Sequence, residues 1–458
     1  DSGAPLLLVT STLQNVFLRT ADYANLERVN RDPDALMSHW VQKLDAGSLH
    51  NQLGRVKTPE DRDRLVHYHR LWGQKIEALA KKHTIKRSKR KALGQKIKVG
   101  FMSSDLREHP VAYFALPLFE MFDPSKFDLY VYSFNPKPAD KVAQFIATKV
   151  AAYRNYLNMS DAEVAQKIAD DDLDILFELG GTTLMNRLEV MAYKAAPVQV
   201  SWLGYPHSAG LSTIDYILVD RYIKPPRHEL LIEKPFELPD SWVTLHPMGF
   251  REVEINPTIP ELRKGYITFG TANNPYKYTP ELLETWAKVL ARVPNSHFLF
   301  VRPEGGTKIF RENITAEFAK QGISADRIDF AAVRGKHLPH YNDIDIALEC
   351  FPHTGGTTTC ETMWMGVPPV CLTGEAFFER LSTSNASNAG LGDLCAKTPE
   401  EYIDIAVKLA ADQPRRIQLR TGLRDQIRKS PLGDARKFVN DFYRLAEEKV
   451  REYYGSQA

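Results

Sequence analysis

From residue 97 the chain alternates short apolar runs with amphipathic stretches, and that alternation restricts the fold more than any other feature. "IKVGFMSSD" (97–105), "FDLYVYSF" (127–134), "DILFEL" (174–179), "VQVSWLGYP" (198–206) and "YILVD" (216–220) read as strands. Between them "HPVAYFALPLFEMF" (109–122), "DKVAQFIATKV" (140–150), "DAEVAQKIADD" (161–171) and "RLEVMAYKAA" (187–196) carry helical spacing. Strand and helix in regular turn mean a parallel sheet covered on both faces. The pattern gives way near residue 221 to Pro-rich, aperiodic sequence and restarts at "YITFGTA" (266–272). The second run continues through "HFLFVR" (297–302), "RIDFAAV" (327–333), "DIALE" (345–349) and "PPVCLTG" (368–374), with helices at 279–293, 308–322 and from Glu361. Thr279 followed by Pro280 is a good cap and first-turn pair. Three more helices are expected to close the chain, the last from Asp434 to about Tyr454.

At 458 residues the chain exceeds one ordinary core. The reading is α/β with two doubly wound domains, 96–235 and 265–458, joined by a connection at 236–264. Before them, residues 1–95 read as helical, since "TADYANLERV", "PDALMSHWVQKL" and "RDRLVHYHRLWGQKIEALAKKH" show helical spacing without strand pattern. Ligands of such sheets bind at the carboxyl ends of the strands, so the cleft between two such domains is the expected site.

Composition removes several classes of function. A hydrophobic share of 43% with 25% charged residues describes a soluble globular protein, and no apolar run reaches the length of a membrane span. The net charge of +2 calls for neither nucleic acid nor an anionic membrane as partner. The basic run "KKHTIKRSKRKALGQKIK" (81–98) has no interleaved aromatics and reads as a solvated linker. Cys350, Cys360, Cys371 and Cys395 lack CxxC spacing and read as buried free thiols, which favours a reducing compartment, the cytoplasm. The opening "DSGAPLLLVTST" has no basic segment before its apolar stretch and is not read as a signal peptide; without an initial Met, further sequence upstream is expected.

Three elements fall at carboxyl ends of second-domain strands: "GTANNPYK" (270–277), "AAVRGKH" (331–337) and "FPHTGGTTTCE" (351–361). They supply Lys277, Arg334, Thr357, Thr358 and a helix N-terminus, with no paired carboxylates for magnesium. That set suits a diphosphate neutralised by protein groups. The Gly-Thr cluster has two readings at this point, a Thr-capped helix start or an anion cradle. GxxxxGK[ST], or GxGxxG after a strand, is not found, which argues against a P-loop NTPase or a dinucleotide oxidoreductase. In the first domain "SSDLREHP" puts His109 at a strand-to-helix junction, as a cap or a cleft residue, and "LGYPHSAG" (203–210) is a glycine turn, structural or for close approach of a ligand. His337, His340 and His353 lack ligand spacing, and no metal is expected.

These strings, with "PVQVSWLGYPHSAGLSTIDYILVD" and "ITFGTANNPYKYTPELLETWAKVLARVPNS", resemble the catalytic region of the O-linked N-acetylglucosamine transferases and SPINDLY proteins, family 41 of the glycosyltransferases. The resemblance runs from about residue 97 nearly to the C-terminus. It implies the GT-B arrangement of two facing Rossmann-like domains and inverting, metal-independent transfer from a nucleotide-diphospho-sugar to a protein hydroxyl. By matching positions, Lys277 would neutralise the leaving diphosphate with Asn274 beside it, and Thr357 and Thr358 would bond the phosphates. Glu361 and Arg334 would lie at the ribose, Ala332 would offer backbone groups to the base, and His337 would stack on it. Leu203 and Gly204 would line the sugar pocket, Pro206 and His207 would lie on the acceptor side, and His109 would face the reaction centre as a candidate base. Animal members have a His before the Thr pair where this chain has Gly356, and "GGTTTCE" is closer to the SPINDLY form. The resemblance therefore implies UDP-N-acetylglucosamine as donor, with GDP-fucose and UDP-glucose as alternatives, or a nucleotide-sugar-binding scaffold without activity. Family members usually carry a tetratricopeptide array before this region, and residues 1–95 are too short for a long one.

Overall fold

The computed structural model describes residues 3–87 and 94–456, with side chains from residue 12 onward; residues 88–93 of the expected basic linker lie outside the described residues. The N-terminal stretch is helical: α1 (Gly3–Thr20), α2 (Tyr23–Val29), α3 (Pro33–Gln42), α4 (Ala46–His50) and α5 (Pro59–Ala80). There follow β1 (Ile97–Met102), α6 (Pro110–Glu120), β2 (Phe127–Ser133), α7 (Lys141–Ala147), β3 (Ala152–Asn155), α8 (Asp161–Asp170), β4 (Ile175–Glu178), β5 (Val198–Ser201), β6 (Tyr216–Val219) and β7 (Lys234–Glu237). The second series is α9 (Pro260–Lys264), β8 (Thr268–Thr271), α10 (Pro280–Arg292), β9 (His297–Val301), α11 (Lys308–Ala319), β10 (Ile328–Ala331), β11 (Ile346–Leu348), α12 (Thr357–Trp364) and β12 (Pro369–Leu372). It closes with α13 (Leu381–Asn388), β13 (Cys395–Ala396), α14 (Pro399–Ala411), α15 (Gln413–Arg428) and α16 (Ala435–Gly455).

The chain divides into two compact units. One comprises Trp40–His50, Pro59–Arg251 and Pro431–Ala458, the other Asp1–His39, Asn51–Thr58 and Glu252–Ser430. Each holds one sheet, in the orders β3-β2-β1-β4-β5-β6-β7 and β10-β9-β8-β11-β12-β13, with neighbouring strands parallel. The order 3-2-1-4-5-6 is the Rossmann winding, and its switch point lies between β1 and β4 in one sheet and β8 and β11 in the other. Both fourth strands carry the same pattern, Asp174-Ile175-Leu176-Phe177-Glu178 and Asp345-Ile346-Ala347-Leu348-Glu349. At the amino end the Asp carboxylates accept the Lys98 and Thr268 N–H groups, both at 2.9 Å, which fixes the register of the switch-point strands.

Several elements differ from the sequence reading: strands β3 and β13 were not expected, and four helices follow β12 where three were. Residues 234–237, expected within the irregular stretch that starts near residue 221, form edge strand β7, where Pro235 is tolerated because an edge leaves one side of the ladder unpaired. "RLEVMAYKAA" winds as a 3₁₀ helix over Leu188–Tyr193 instead of an α-helix. Helix α16, expected with the second domain, packs in the first unit. Its Phe442 ring lies 4.7 Å from Phe177, 5.6 Å from Trp202 and 6.2 Å from Phe236, Tyr443 donates to the Leu118 carbonyl at 2.9 Å, and Tyr454 donates to Asp174 at 2.9 Å. An amphipathic stripe says that a helix needs a sheet and not which sheet it finds. The N-terminal helices are likewise shared: residues 51–58 belong with β8–β13 and α5 with β1–β7.

Candidate functional site

The Gly-Thr loop starts where β11 ends. Glu349 follows an apolar strand, is only 3% exposed, and must therefore be surrounded by donors. Its carboxylate accepts from the Cys350 N–H (2.9 Å), the Gly355 N–H (3.2 Å), Asn273 Nδ2 and Thr359 Oγ1. A Cβ at Gly355 would come within 2.7 Å of both the Glu349 carboxylate and Thr359 Oγ1, so only glycine passes here. Thr359 also donates to the Gly355 carbonyl at 2.9 Å, and Asn385 Nδ2 holds the Gly356 carbonyl at 3.1 Å. The loop is thus pinned from below and from the side.

Helix α12 starts at Thr357, four residues before the expected Glu361, with Gly356 as the flanking residue and no side chain capping it. The threonines sit inside the helix, so they are not the cap; Thr359 braces Glu349, while the hydroxyls of Thr357 and Thr358 carry no hydrogen bond among the described residues. In contrast α10 is capped by Thr279, as expected, and α8 by a Ser160–Glu163 box. An amino end with its first-turn N–H groups unclaimed by side chains and two spare hydroxyls beside them has the donors that an anion needs.

Lys277 reaches the same loop. It ends a short 3₁₀ turn, Pro275–Lys277, that Asn274 caps through the Tyr276 N–H at 3.3 Å. The side chain is 8% exposed and its ammonium donates to the Thr354 carbonyl at 2.7 Å, three residues before Thr357. Glu361 and His337 are joined by a 2.8 Å hydrogen bond, and that bond raises the imidazole above the ordinary histidine value. Arg334 is exposed and makes no ion pair among the described residues; Ala332 is exposed on the segment beyond β10. Sequence reasoning missed Glu349, Asn273 and Asn385. The signal for Glu349 was present as an acid closing a strand that is otherwise apolar.

In the first unit the expected residues separate. His109 caps α6, its Nδ1 accepting the Val111 N–H at 3.3 Å, with Asp105 at 3.8 Å. Burial holds its pKa below the ordinary value, with Asp105 opposing. Leu203 has a φ of 83°, a strained conformation for a bulky side chain, and Gly204 follows where any Cβ would collide with the Leu179 carbonyl. Both are partly exposed at the carboxyl end of β5. Pro206 and His207, expected on the acceptor side, are buried. The His207 ring packs 4.7 Å from that of His69 on α5, Tyr205 bonds His69 at 2.6 Å, and Gly73 and Gly210 let helix and turn touch. That half of the glycine turn serves helix packing. Glu178, the counterpart of Glu349, accepts from the Gly180 (3.1 Å) and Gly181 (2.6 Å) N–H groups and from Ser201. Among the described residues no three His, Cys, Asp or Glu side chains converge as metal ligands, and no helix is long and apolar enough to cross a membrane.

Two parallel sheets of Rossmann winding define the GT-B class. A mutant of the O-GlcNAc transferase of Thermobaculum terrenum superposes with a TM-score of 0.76 at 23% identity, covering 100% of both chains. Residues 58–238 and 258–442 match glycosyl transferase family 41, and the chain belongs to that family. Among its relatives is the rice protein described as probable UDP-N-acetylglucosamine--peptide N-acetylglucosaminyltransferase SPINDLY, 33% identical over 86% of this chain and 43% of its own length. The Arabidopsis thaliana protein of the same description is 33% identical over 82% of this chain and 42% of its own. The Caenorhabditis elegans UDP-N-acetylglucosamine--peptide N-acetylglucosaminyltransferase is 23% identical over 79% and 41%. The chain spans less than half the length of these relatives.

Proposed function

We propose that the chain is the catalytic region of an inverting glycosyltransferase that moves N-acetylglucosamine from UDP-N-acetylglucosamine to Ser or Thr hydroxyls of proteins, without a metal cofactor. The observation that carries this reading is the uncapped start of α12, with the spare hydroxyls of Thr357 and Thr358, on the loop that Lys277 touches. As a nucleoside diphosphate leaves, negative charge gathers on its phosphates, and fixed N–H groups, hydroxyls and an ammonium there lower the barrier. They do what a metal does elsewhere. The relatives' descriptions supply the sugar, the uridine base and the peptide acceptor. His337, oriented by Glu361, stacks on the base, and Arg334, without an ion pair among the described residues, reaches the ribose. Leu203 and Gly204 shape the sugar pocket. His109 accepts at Nδ1, so its neutral ring carries the proton on Nε2 and offers a donor. In this reading it hydrogen-bonds the reacting groups, and the acceptor proton passes to a donor phosphate oxygen. The free thiols suit a reducing compartment, the cytoplasm.

The test is nucleotide release from UDP-N-acetylglucosamine, UDP-glucose and GDP-fucose, with and without lysate protein and with and without EDTA. Preferential, EDTA-insensitive, acceptor-dependent turnover of UDP-N-acetylglucosamine is expected. Lys277→Ala should lower it by about 10²–10³-fold, the usual loss for one charge-stabilising group. Preference for GDP-fucose, or an unaffected Lys277→Ala variant, would overturn the reading.

A further inference from the structure

The short 3₁₀ helix Leu53–Arg55 of the N-terminal stretch packs against the Lys277 turn. A Cβ on Gly54 would lie 3.5 Å from the Tyr276 carbonyl oxygen and 4.0 Å from Lys277 Cα, and helix α1 contacts the same turn. From this segment one guanidinium nitrogen of Arg55, Nη2, donates to the Tyr276 carbonyl at 3.2 Å and to the Tyr278 carbonyl at 2.8 Å. Those carbonyls belong to the residues on either side of Lys277. On the other side the turn is held by the Lys277 N–H on the Asn274 carbonyl (3.0 Å) and by the Tyr278 hydroxyl on the Asn273 carbonyl (2.8 Å).

We infer that Arg55 is a positioning residue for Lys277, so that the N-terminal helical stretch serves the donor site as well as any acceptor. A charged donor bridging the two carbonyls fixes the peptide plane that enters Lys277 and the one that leaves Tyr278, and so braces the turn from which the Lys277 side chain departs. Arg55 acts through the backbone and not on substrate. A Lys at the same place keeps the charge, but its ammonium sits on a flexible stem and is not held in a plane as the guanidinium nitrogen is. The inference rests on the role given above to Lys277.

The experiment is a kinetic cycle on the whole chain: the unmodified protein, Arg55→Met, Lys277→Met and the double variant, each checked for fold by circular dichroism. Lys57→Met is the control, since Lys57 lies on the same segment in an exposed ion pair with Glu281 and pairs of that kind contribute little. Arg55→Met is expected to lower kcat and kcat/KM together by about tenfold or more, the scale on which displaced catalytic groups lose rate. In the Lys277→Met background the same change should have no effect, because its target is gone. Arg55→Lys should restore part of the rate. An equal loss in both backgrounds, or a folded Arg55→Met variant of full activity, overturns the inference while leaving the function standing. If Arg55→Met does not fold, Arg55→Lys carries the same cycle. An inactive unmodified protein overturns the function and this inference with it.

Discussion

Replacing Glu349 separates the loop's architecture from its chemistry. One carboxylate oxygen, Oε1, accepts from Asn273 Nδ2 and the Cys350 and Gly355 N–H groups, and the other, Oε2, accepts from Thr359 Oγ1. In Glu349→Gln the amide oxygen keeps the first three donors. The new NH₂ faces a Thr359 hydroxyl that can accept while still donating to the Gly355 carbonyl. All four bonds lose their charge assistance, at about 1 kcal/mol each, and part of that is offset because a neutral amide costs less to bury than a carboxylate, leaving a net loss of about 1–2 kcal/mol. Glu349→Ala is different in kind. Thr359 keeps its bond to Gly355, but three buried donors lose their acceptor at ~1–3 kcal/mol each, roughly 3–9 kcal/mol in all, with the lower end holding if water enters. That approaches the whole stability of an ordinary domain. Denaturant titration should give this order, and calorimetric UDP binding should fall within about fivefold of the parent for Gln, the equivalent of 1 kcal/mol. An Ala variant within about 1 kcal/mol of the parent, with unchanged UDP binding, would refute the account, because substitutions that matter little fall in that range.

Thr357→Val and Thr358→Val should each weaken UDP binding by about 1.5–3 kcal/mol, the contribution of a hydrogen bond to a charged group, without moving the denaturation midpoint. Calorimetry on the two variants checks it. Gly355→Ala should destabilise the loop by collision with Glu349, whereas Gly356→His should leave stability within about 0.5 kcal/mol, since a Cβ there meets nothing within 4 Å. Thermal melts compare the two. The Glu361 bond raises the His337 pKa above its ordinary 6.5, so its stabilisation is fully present below that value and lost as pH rises through the raised one. Stability measured from pH 6 to 9 should fall across that window, and Glu361→Gln should flatten the fall.

Much of this was legible because burial leaves its mark on sequence. Apolar runs with helices between them specify a parallel sheet, and both sheets wind as that pattern requires. β7 escaped because an edge strand of four residues with only Phe236 buried looks like a loop. The Thr357 helix start was misplaced by four residues because Gly and Thr runs are written the same way whether they cap a helix or leave its end open. Only the destination of the Thr359 hydroxyl decides between them. His109 reads equally as cap or cleft residue, and in the structure it caps. His207 was expected on the acceptor side from the family resemblance; the turn that carries it folds back on α5 and buries it. Arg55 lies more than 200 positions from the carbonyls it holds. No local pattern encodes a contact of that range.

The placement of α16 sets an order on synthesis. A chain emerging from a ribosome ordinarily completes its domains in sequence, amino end first. Here the strands of the first sheet are complete at Glu237, but Phe442, which packs between Phe177, Trp202 and Phe236, arrives about 200 residues later. At ~5–20 residues per second that is a wait of roughly 10–40 s, during which residues 252–430 emerge and have the means to fold. The nascent first sheet carries an uncovered aromatic face for that interval. A chaperone that holds apolar surface would meet this protein there, on the half that is translated first and finished last.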